Sequence, residues 1–185
     1  MASIGVFCAS SRRIDKRWLD LAYRTGSELG RRGHTLVSGG GRVGMMGAVA
    51  NGARAAGAHT LGVIPQALVD LEVADGDADE LIVTADMAER KNVMIEKSDA
   101  FLTLPGGLGT LDELFEVWTT ATLALHRKPI VLLNADGFYS DLLGWLQART
   151  EDNFVNADGL RMLIVTEDLD TALTTIERGV AAWTR

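Results

Sequence analysis

Cysteine and histidine are scarce in this chain, with one Cys and three His among 185 residues. An internal disulfide needs a second thiol, and structural zinc needs clustered Cys and His at ligand spacing, so neither is expected, nor is any other metal site. Basic side chains are the minority: 18 Lys and Arg face 25 Asp and Glu, for a net charge of -7. A surface of that sign suits neither nucleic acid nor an anionic membrane, and neither partner is expected. Long apolar runs are missing too, since nothing approaches the roughly 20 residues that span a bilayer. The start, Met1-Ala2-Ser3-Ile4-Gly5-Val6-Phe7, has no basic leader and no extended apolar stretch. The expectation is a cytoplasmic protein, neither exported nor inserted. Repeats, linkers and low-complexity segments are absent as well, and the length suits one domain over residues 1–185.

What is present is alternation, in a composition that is 47% hydrophobic. Short apolar runs at Ile4 to Ala9, Thr35 to Ser38, Thr60 to Ile64, Leu81 to Thr84, Ala100 to Leu104, Pro129 to Leu133 and Met162 to Val165 read as strands. Helical spacing falls between them, at about Asp15 to Arg32, from the first glycine cluster to Ala56, and at Met87 to Lys97, Thr110 to Leu125, Tyr139 to Arg149 and Asp168 to Trp183. Gln66 to Asp79 is acidic and aperiodic and reads as a loop. Alternating strands and helices predict an α/β fold, a Rossmann-like doubly wound parallel sheet with helices on both faces and sites at the strands' carboxyl ends.

Two glycine-rich stretches stand between a strand and a helix. Pro105-Gly106-Gly107-Leu108-Gly109-Thr110-Leu111-Asp112-Glu113 follows the Ala100 strand. Amides at a helix start lack intrahelical partners and lie at the positive end of its dipole, so an anionic group can settle on them. Thr110 can add a hydroxyl. Glu113, one turn further, would repel a phosphate unless it faces another part of the ligand, which marks it as a chemical group. The earlier stretch, Gly39 to Gly47, fits G-x-G-x-x-G through Gly39, Gly41 and Gly44. It lacks the acid that a dinucleotide site needs at the next strand end, which here is Val63-Ile64-Pro65, and Met45 replaces the lysine of a Walker loop. Either it packs a helix against a strand with no ligand, or the two turns bracket one phosphorylated ligand.

Arg90-Lys91 begins a helix beyond the fourth strand and is placed to face the same crevice, the arginine offering a planar fork and the lysine a point charge. Arg12, Arg13, Lys16 and Arg17 read as a solvated helix start, and His34, His59 and His126 as structural. Cys8 and Ser10-Ser11 end the first strand and can line the pocket. Met45, Met46, Met87 and Met94 are either packing or a soft surface for a base.

These residues carry a family resemblance. Met87-Ala88-Glu89-Arg90-Lys91, Ser98-Asp99-Ala100-Phe101 and Pro105 to Glu113 resemble the LONELY GUY family of cytokinin riboside 5'-monophosphate phosphoribohydrolases, whose signature is P-G-G-x-G-T-x-x-E with an upstream M-x-x-R-K. The glycine run before Met46-Gly47 matches its G-G-G-x-x-G-x-M-G pattern, and the likeness runs from Val6 to about Thr166. It implies that Arg90 and Glu113 are catalytic. It also implies that Glu72, Lys91, Gly106, Gly107, Leu108, Gly109, Thr110, Leu111, Asp112 and Thr119 bind substrate together with Gly40, Gly41 and Gly44. The implied reaction cleaves the N-glycosidic bond of a nucleoside 5'-monophosphate without cofactor, in a homodimer. Helices bearing Phe115, Trp118 and Leu125 offer apolar surface for a second copy. This chain departs from the family at Thr122-Leu123-Ala124, where Gln-Leu-Gly is common, and at Asp152-Asn153-Phe154, in place of Glu-Gly-Phe.

Other readings remain. A pyridoxal-dependent lysine decarboxylase needs a cofactor lysine, and none of Lys16, Lys91, Lys97 and Lys128 lies in such a context. A carrier of nucleotides or of a molybdenum-type cofactor could use the glycine turns without Arg90 and Glu113 together. A general AMP nucleosidase differs only in the base it accepts.

Overall fold

The strands are short, and all but the two at the sheet's edges are runs of largely buried, mostly apolar residues. The computed structural model describes residues 1–71 and 73–183. Strands β1 (Ser3–Phe7), β2 (Thr35–Ser38), β3 (Thr60–Pro65), β4 (Glu80–Thr84), β5 (Ala100–Thr103), β6 (Ile130–Leu133) and β7 (Leu163–Thr166) form one sheet in the order β4-β3-β2-β1-β5-β6-β7. Every neighbouring pair is parallel. The intervening helices are α1 (Lys16–Arg31), α2 (Gly44–Ala55), α3 (Gln66–Val69), α4 (Met87–Lys97), α5 (Leu108–Thr122), α6 (Ser140–Glu151), α7 (Ala157–Arg161) and α8 (Leu169–Trp183), with a short 3-10 turn at Ala135–Gly137.

The central strands alternate their side chains between two cores. Ile4, Val6, Leu36, Leu102, Val131 and Leu133 pack with α1, α2 and α8, whereas Phe7, Val37, Phe101, Ile130 and Leu132 pack with α4, α5 and α6. Burial on both faces explains why the strands read as near-continuous apolar runs. The chain lays down β1 to β4 in one direction and then returns to place β5 on the other side of β1. That reversal opens a crevice beyond the carboxyl ends of β1 and β5, the place where open α/β sheets take their ligands.

The predicted architecture is the one found, and the differences are local. Residues Gln66 to Asp79 are not wholly irregular: α3 forms there, and a bridge joins Ala74 to Gly41. The α7 turn was not expected either. It is capped by the Asn156 side chain, which accepts from the Asp158 N–H, and the Trp118 indole N–H donates to the Gly159 carbonyl at 2.7 Å. Trp118 is therefore core, stacked on Phe115, and not open surface. Helix α5 stops at Thr122, which leaves Leu125 beyond it and exposed. Among the described residues no helix is long and apolar enough to cross a membrane.

Candidate active site

The loop after β1, the start of α4 and the start of α5 meet at the crevice. They enclose a cavity of about 230 Å³ lined by Cys8 to Ser11, Met46, Met87, Arg90, Gly107 to Thr110, and Glu113. The loops are pinned from below. Leu104 N–H donates to the Phe7 carbonyl at 2.9 Å, and the Tyr139 hydroxyl donates to the Leu104 carbonyl at 2.8 Å.

Helix α5 begins without a side-chain cap, since its N-cap is Gly107. Leu111 N–H reaches back to the Gly107 carbonyl at 3.0 Å, so the amides of Leu108, Gly109 and Thr110 ahead of it point outward with no partner among the described residues. Such a trio, at the positive end of a helix of 15 residues, is suited to an anion. Gly106 is needed beneath it: a Cβ there would fall 2.1 Å from the Thr110 hydroxyl oxygen.

One turn on, the buried face of α5 carries Glu113 beside Leu114 and Val117. Its partner comes from α4. Asp86 caps that helix by accepting from the Glu89 N–H, and Glu89 in turn accepts from the Ala85 N–H at 2.6 Å, a reciprocal arrangement that fixes the helix start. Arg90 follows on the inward face, and its Nη2 donates to Glu113 Oε1 at 2.6 Å. Both side chains are buried, at 6% and 7% exposure. Among the described residues Arg90 Nη1 faces only the Met87 sulfur at 3.5 Å, and its buried Nε has no partner. Burial raises the Glu113 carboxyl to about 7 against the pull of Arg90, with Asp112 adding to the rise and Lys91 opposing it. Burial outweighs the guanidinium, so the carboxyl exchanges its proton near neutrality. The same burial, reinforced by Glu113 and opposed by Arg90, pushes the Cys8 thiol up, so it stays protonated and is no nucleophile.

The other expected site residues are placed differently. Lys91 lies outside the cavity and bridges α4 to α5 through Asp112 and Glu116, at 3.0 Å each. Those hydrogen bonds, to Asp112 first, raise its ammonium further. Leu111, Gly106 and Asp112 are off the cavity wall. Thr119 is exposed about three turns along α5, in a separate groove with Phe115, Thr122 and Phe154. Glu72 lies outside the described residues. Gly40, Gly41 and Gly44 do not line the cavity, and the amides around them are engaged: Gly40 N–H with Ser38 Oγ, Gly41 N–H with Met46 Sδ, Arg42 N–H with the Val73 carbonyl, and Met45 N–H with the Ala9 carbonyl. The direct Arg90 to Glu113 bond was not read from the sequence; only the signature motifs hinted that the two residues work together. Among the described residues no group of three His, Cys, Asp or Glu side chains is placed to hold a metal ion.

Fold and pocket together define a class: an open parallel α/β protein with an uncapped helix start and a buried guanidinium–carboxylate pair at its switch point. Comparison with known proteins narrows it. Residues 46–176 match the family model described as "Possible lysine decarboxylase". The chain is 47% identical over 171 residues to a cytokinin riboside 5'-monophosphate phosphoribohydrolase of Mycobacterium tuberculosis, covering 92% of this chain and 91% of that protein. It is 42% identical over 161 residues to one from Arabidopsis thaliana, covering 87% of this chain and 75% of that protein. A solved structure of the molybdenum cofactor carrier protein of Chlamydomonas reinhardtii superposes with a TM-score of 0.73 at 24% identity, over 97% of this chain and 98% of that one, a likeness of fold. This chain belongs to the LONELY GUY family, that of the phosphoribohydrolases it matches.

Proposed function

We propose that the protein hydrolyses the N-glycosidic bond of adenosine 5'-monophosphates, those with N6 substituents in particular, releasing free base and ribose 5-phosphate. The observation that carries this reading is the buried Arg90–Glu113 pair, 2.6 Å apart, on the wall of a cavity that also receives the open amides of α5. The 5'-phosphate rests on Leu108, Gly109 and Thr110, which fixes the sugar and spares the reaction an entropy cost. Arg90 still has Nε and Nη1 to give to sugar oxygens. The base extends toward Met46 and Met87, whose thioethers suit a flat, polarisable ring.

Breaking C1'–N9 sends the bonding electrons to the base and leaves an oxocarbenium-like sugar. An ionised Glu113 stabilises that charge and takes the proton of the water whose oxygen bonds to C1', while the departing base takes a proton from solvent and Glu113 later returns its own, so that one water is consumed overall. A carboxyl poised near 7 suits both duties, being ionised often enough to act and basic enough to accept a proton. The mechanism calls on no cofactor.

The reading extends to assembly and location. Phe154, 83% exposed, shares a groove with Thr119 and Phe115, and Leu125 stands open nearby in sequence. A second copy of the chain covering this apolar face would give a homodimer and bring Thr119 into use. An acidic chain whose single cysteine is a buried free thiol fits a cytoplasmic setting.

The test is incubation of the purified protein with AMP, isopentenyl-AMP and CMP, following free base by chromatography. Release of base from isopentenyl-AMP ahead of AMP, with CMP untouched, is expected. Equal rates on the first two would replace the reading with a general AMP nucleosidase, and no release from any would overturn it. Light scattering of the same preparation should give twice the chain mass of 19.9 kDa.

A further inference from the structure

The run Gly39-Gly40-Gly41 does not line the cavity, its Gly40 and Gly41 amides are engaged within the protein, and the turn it makes does not account for all of it. Gly39 is the informative member. A Cβ built on it would lie 2.0 Å from Arg90 Nη2 and 2.9 Å from Arg90 Cζ, closer than real side chains approach. That same Nη2 holds the Glu113 carboxylate. The next contact would be the Met46 sulfur at 3.2 Å, itself engaged by the Gly41 N–H at 3.1 Å. The guanidinium Nη2 thus packs against both a bare α-carbon and a carboxylate, on a side chain with 6% exposure.

We propose that Gly39 is a positioning residue for the Arg90–Glu113 pair: its missing side chain is the seat on which the guanidinium rests, and any side chain there drives the guanidinium off the carboxylate. The seat is a statement about packing; its bearing on turnover rests on the function proposed above. Gly39→Ala should still fold, because the methyl group meets the tip of a side chain and no backbone. What changes is the charge balance at Glu113. The charged groups acting on that carboxyl are Arg90 and Lys91 from α4 and Asp112 from its own helix, while the Cys8 thiol that follows β1 stays neutral beside it. Moving Arg90 away removes the largest influence that favours the ionised form.

The experiment is a double-mutant cycle of Gly39→Ala with Arg90→Lys, read both by kcat/KM across pH and by thermal unfolding. A lysine has no Nη2, so the methyl group loses its clash. In the native background Gly39→Ala should lower kcat/KM at neutral pH at least about tenfold, chiefly in kcat, and move the acid limb of the profile up by about one pH unit or more. In the Arg90→Lys background the same substitution should shift neither the limb nor the unfolding temperature further. Gly41→Ala crowds the Met46 sulfur instead and should leave the limb in place. Additive effects in the cycle, or an equal limb shift from Gly41→Ala, would overturn the seat. Should the native protein release no base from any nucleotide while the unfolding temperatures remain non-additive, the seat stands and the proposed reaction falls.

Discussion

The turn after β2 and the turn after β5 are made to nearly the same recipe, glycines between a buried strand and a helix, yet they do opposite things with their backbone. Around the first, the amides of Gly40, Gly41, Arg42 and Met45 are all committed to Ser38, Met46, Val73 and Ala9. Around the second, those of Leu108, Gly109 and Thr110 have no partner among the described residues and face a cavity. Glycine spacing thus reports close backbone approach, and only the hydrogen-bond inventory says whether a ligand or the protein itself does the approaching. The helices that follow differ in the same sense: at the station where α5 carries the carboxylate of Glu113, α2 carries the fully buried Val49.

The largest test of that contrast exchanges single groups at matched stations. Glu113→Gln should cost about 10² to 10⁴ in turnover with the fold intact, the range expected for loss of a general base. Val49→Ala should do the reverse, costing about 2 kcal/mol of stability and little in turnover. Base release by Glu113→Gln at the native rate would remove the distinction between the two helices.

The proton on Glu113 gives the next effect. Its folded value of about 7 lies above the ordinary glutamate value of 4.5, so the folded chain holds this proton more tightly than the unfolded one. The stability it contributes is complete below 4.5 and is lost as pH rises through about 7, because the folded state binds the extra proton across that window. Turnover runs the other way, rising as the carboxylate forms. The unfolding temperature should therefore fall while kcat/KM climbs between those pH values, and Glu113→Gln should flatten the first trend. A pH-rate profile with no acid limb in that window would separate Glu113 from the chemistry.

A smaller effect addresses the amides directly. Titration with ribose 5-phosphate should move the amide resonances of Leu108, Gly109 and Thr110 and leave those of Gly40, Gly41 and Met45 in place. Gly106→Ala, whose methyl group displaces Thr110, should raise KM about tenfold, equivalent to about 1.4 kcal/mol. Equal shifts at both turns would mean that the first also binds phosphate.

Much of this was legible beforehand, for reasons that can be named. The five inner strands were visible because burial on both faces demands apolar runs. The half-exposed edge strands β4 and β7 showed through apolar residues such as Ile82 and Leu163 that still pack into the core, and α4 was bounded correctly because Asp86 and Lys97 mark its ends. The α3 and α7 turns were invisible, having 4 and 5 residues and no period to detect. Arg90 and Glu113 were legible as motif members. Their contact, across 23 positions, follows from the strand order, and so does the seat at Gly39, which no local pattern announces.

The contrast between committed and open backbone groups extends from helix entries to helix exits, where the smallest effect is expected. Helix α5 ends with Leu125 N–H bonded to the Thr120 carbonyl at 3.0 Å and Ala124 N–H to the Ala121 carbonyl at 2.9 Å, the paired closure that requires a left-handed residue after the cap. That residue is Ala124, at φ 58. Helix α6 closes the same way through Phe154 to Arg149 and Asn153 to Thr150, with Asn153 at φ 61. These are the positions at which the family resemblance has glycine and this chain does not, so the departures fall on helix exits and leave the pocket untouched. An alanine in that conformation is strained by about 1 kcal/mol, whereas asparagine tolerates it better. Ala124→Gly should therefore raise stability by about 0.5 to 1 kcal/mol, Asn153→Gly by less, and neither should alter the pH profile of turnover. Denaturant unfolding at fixed pH resolves a difference of that size, and a loss of stability on Ala124→Gly would mean that the alanine methyl group earns more in packing than its backbone gives up.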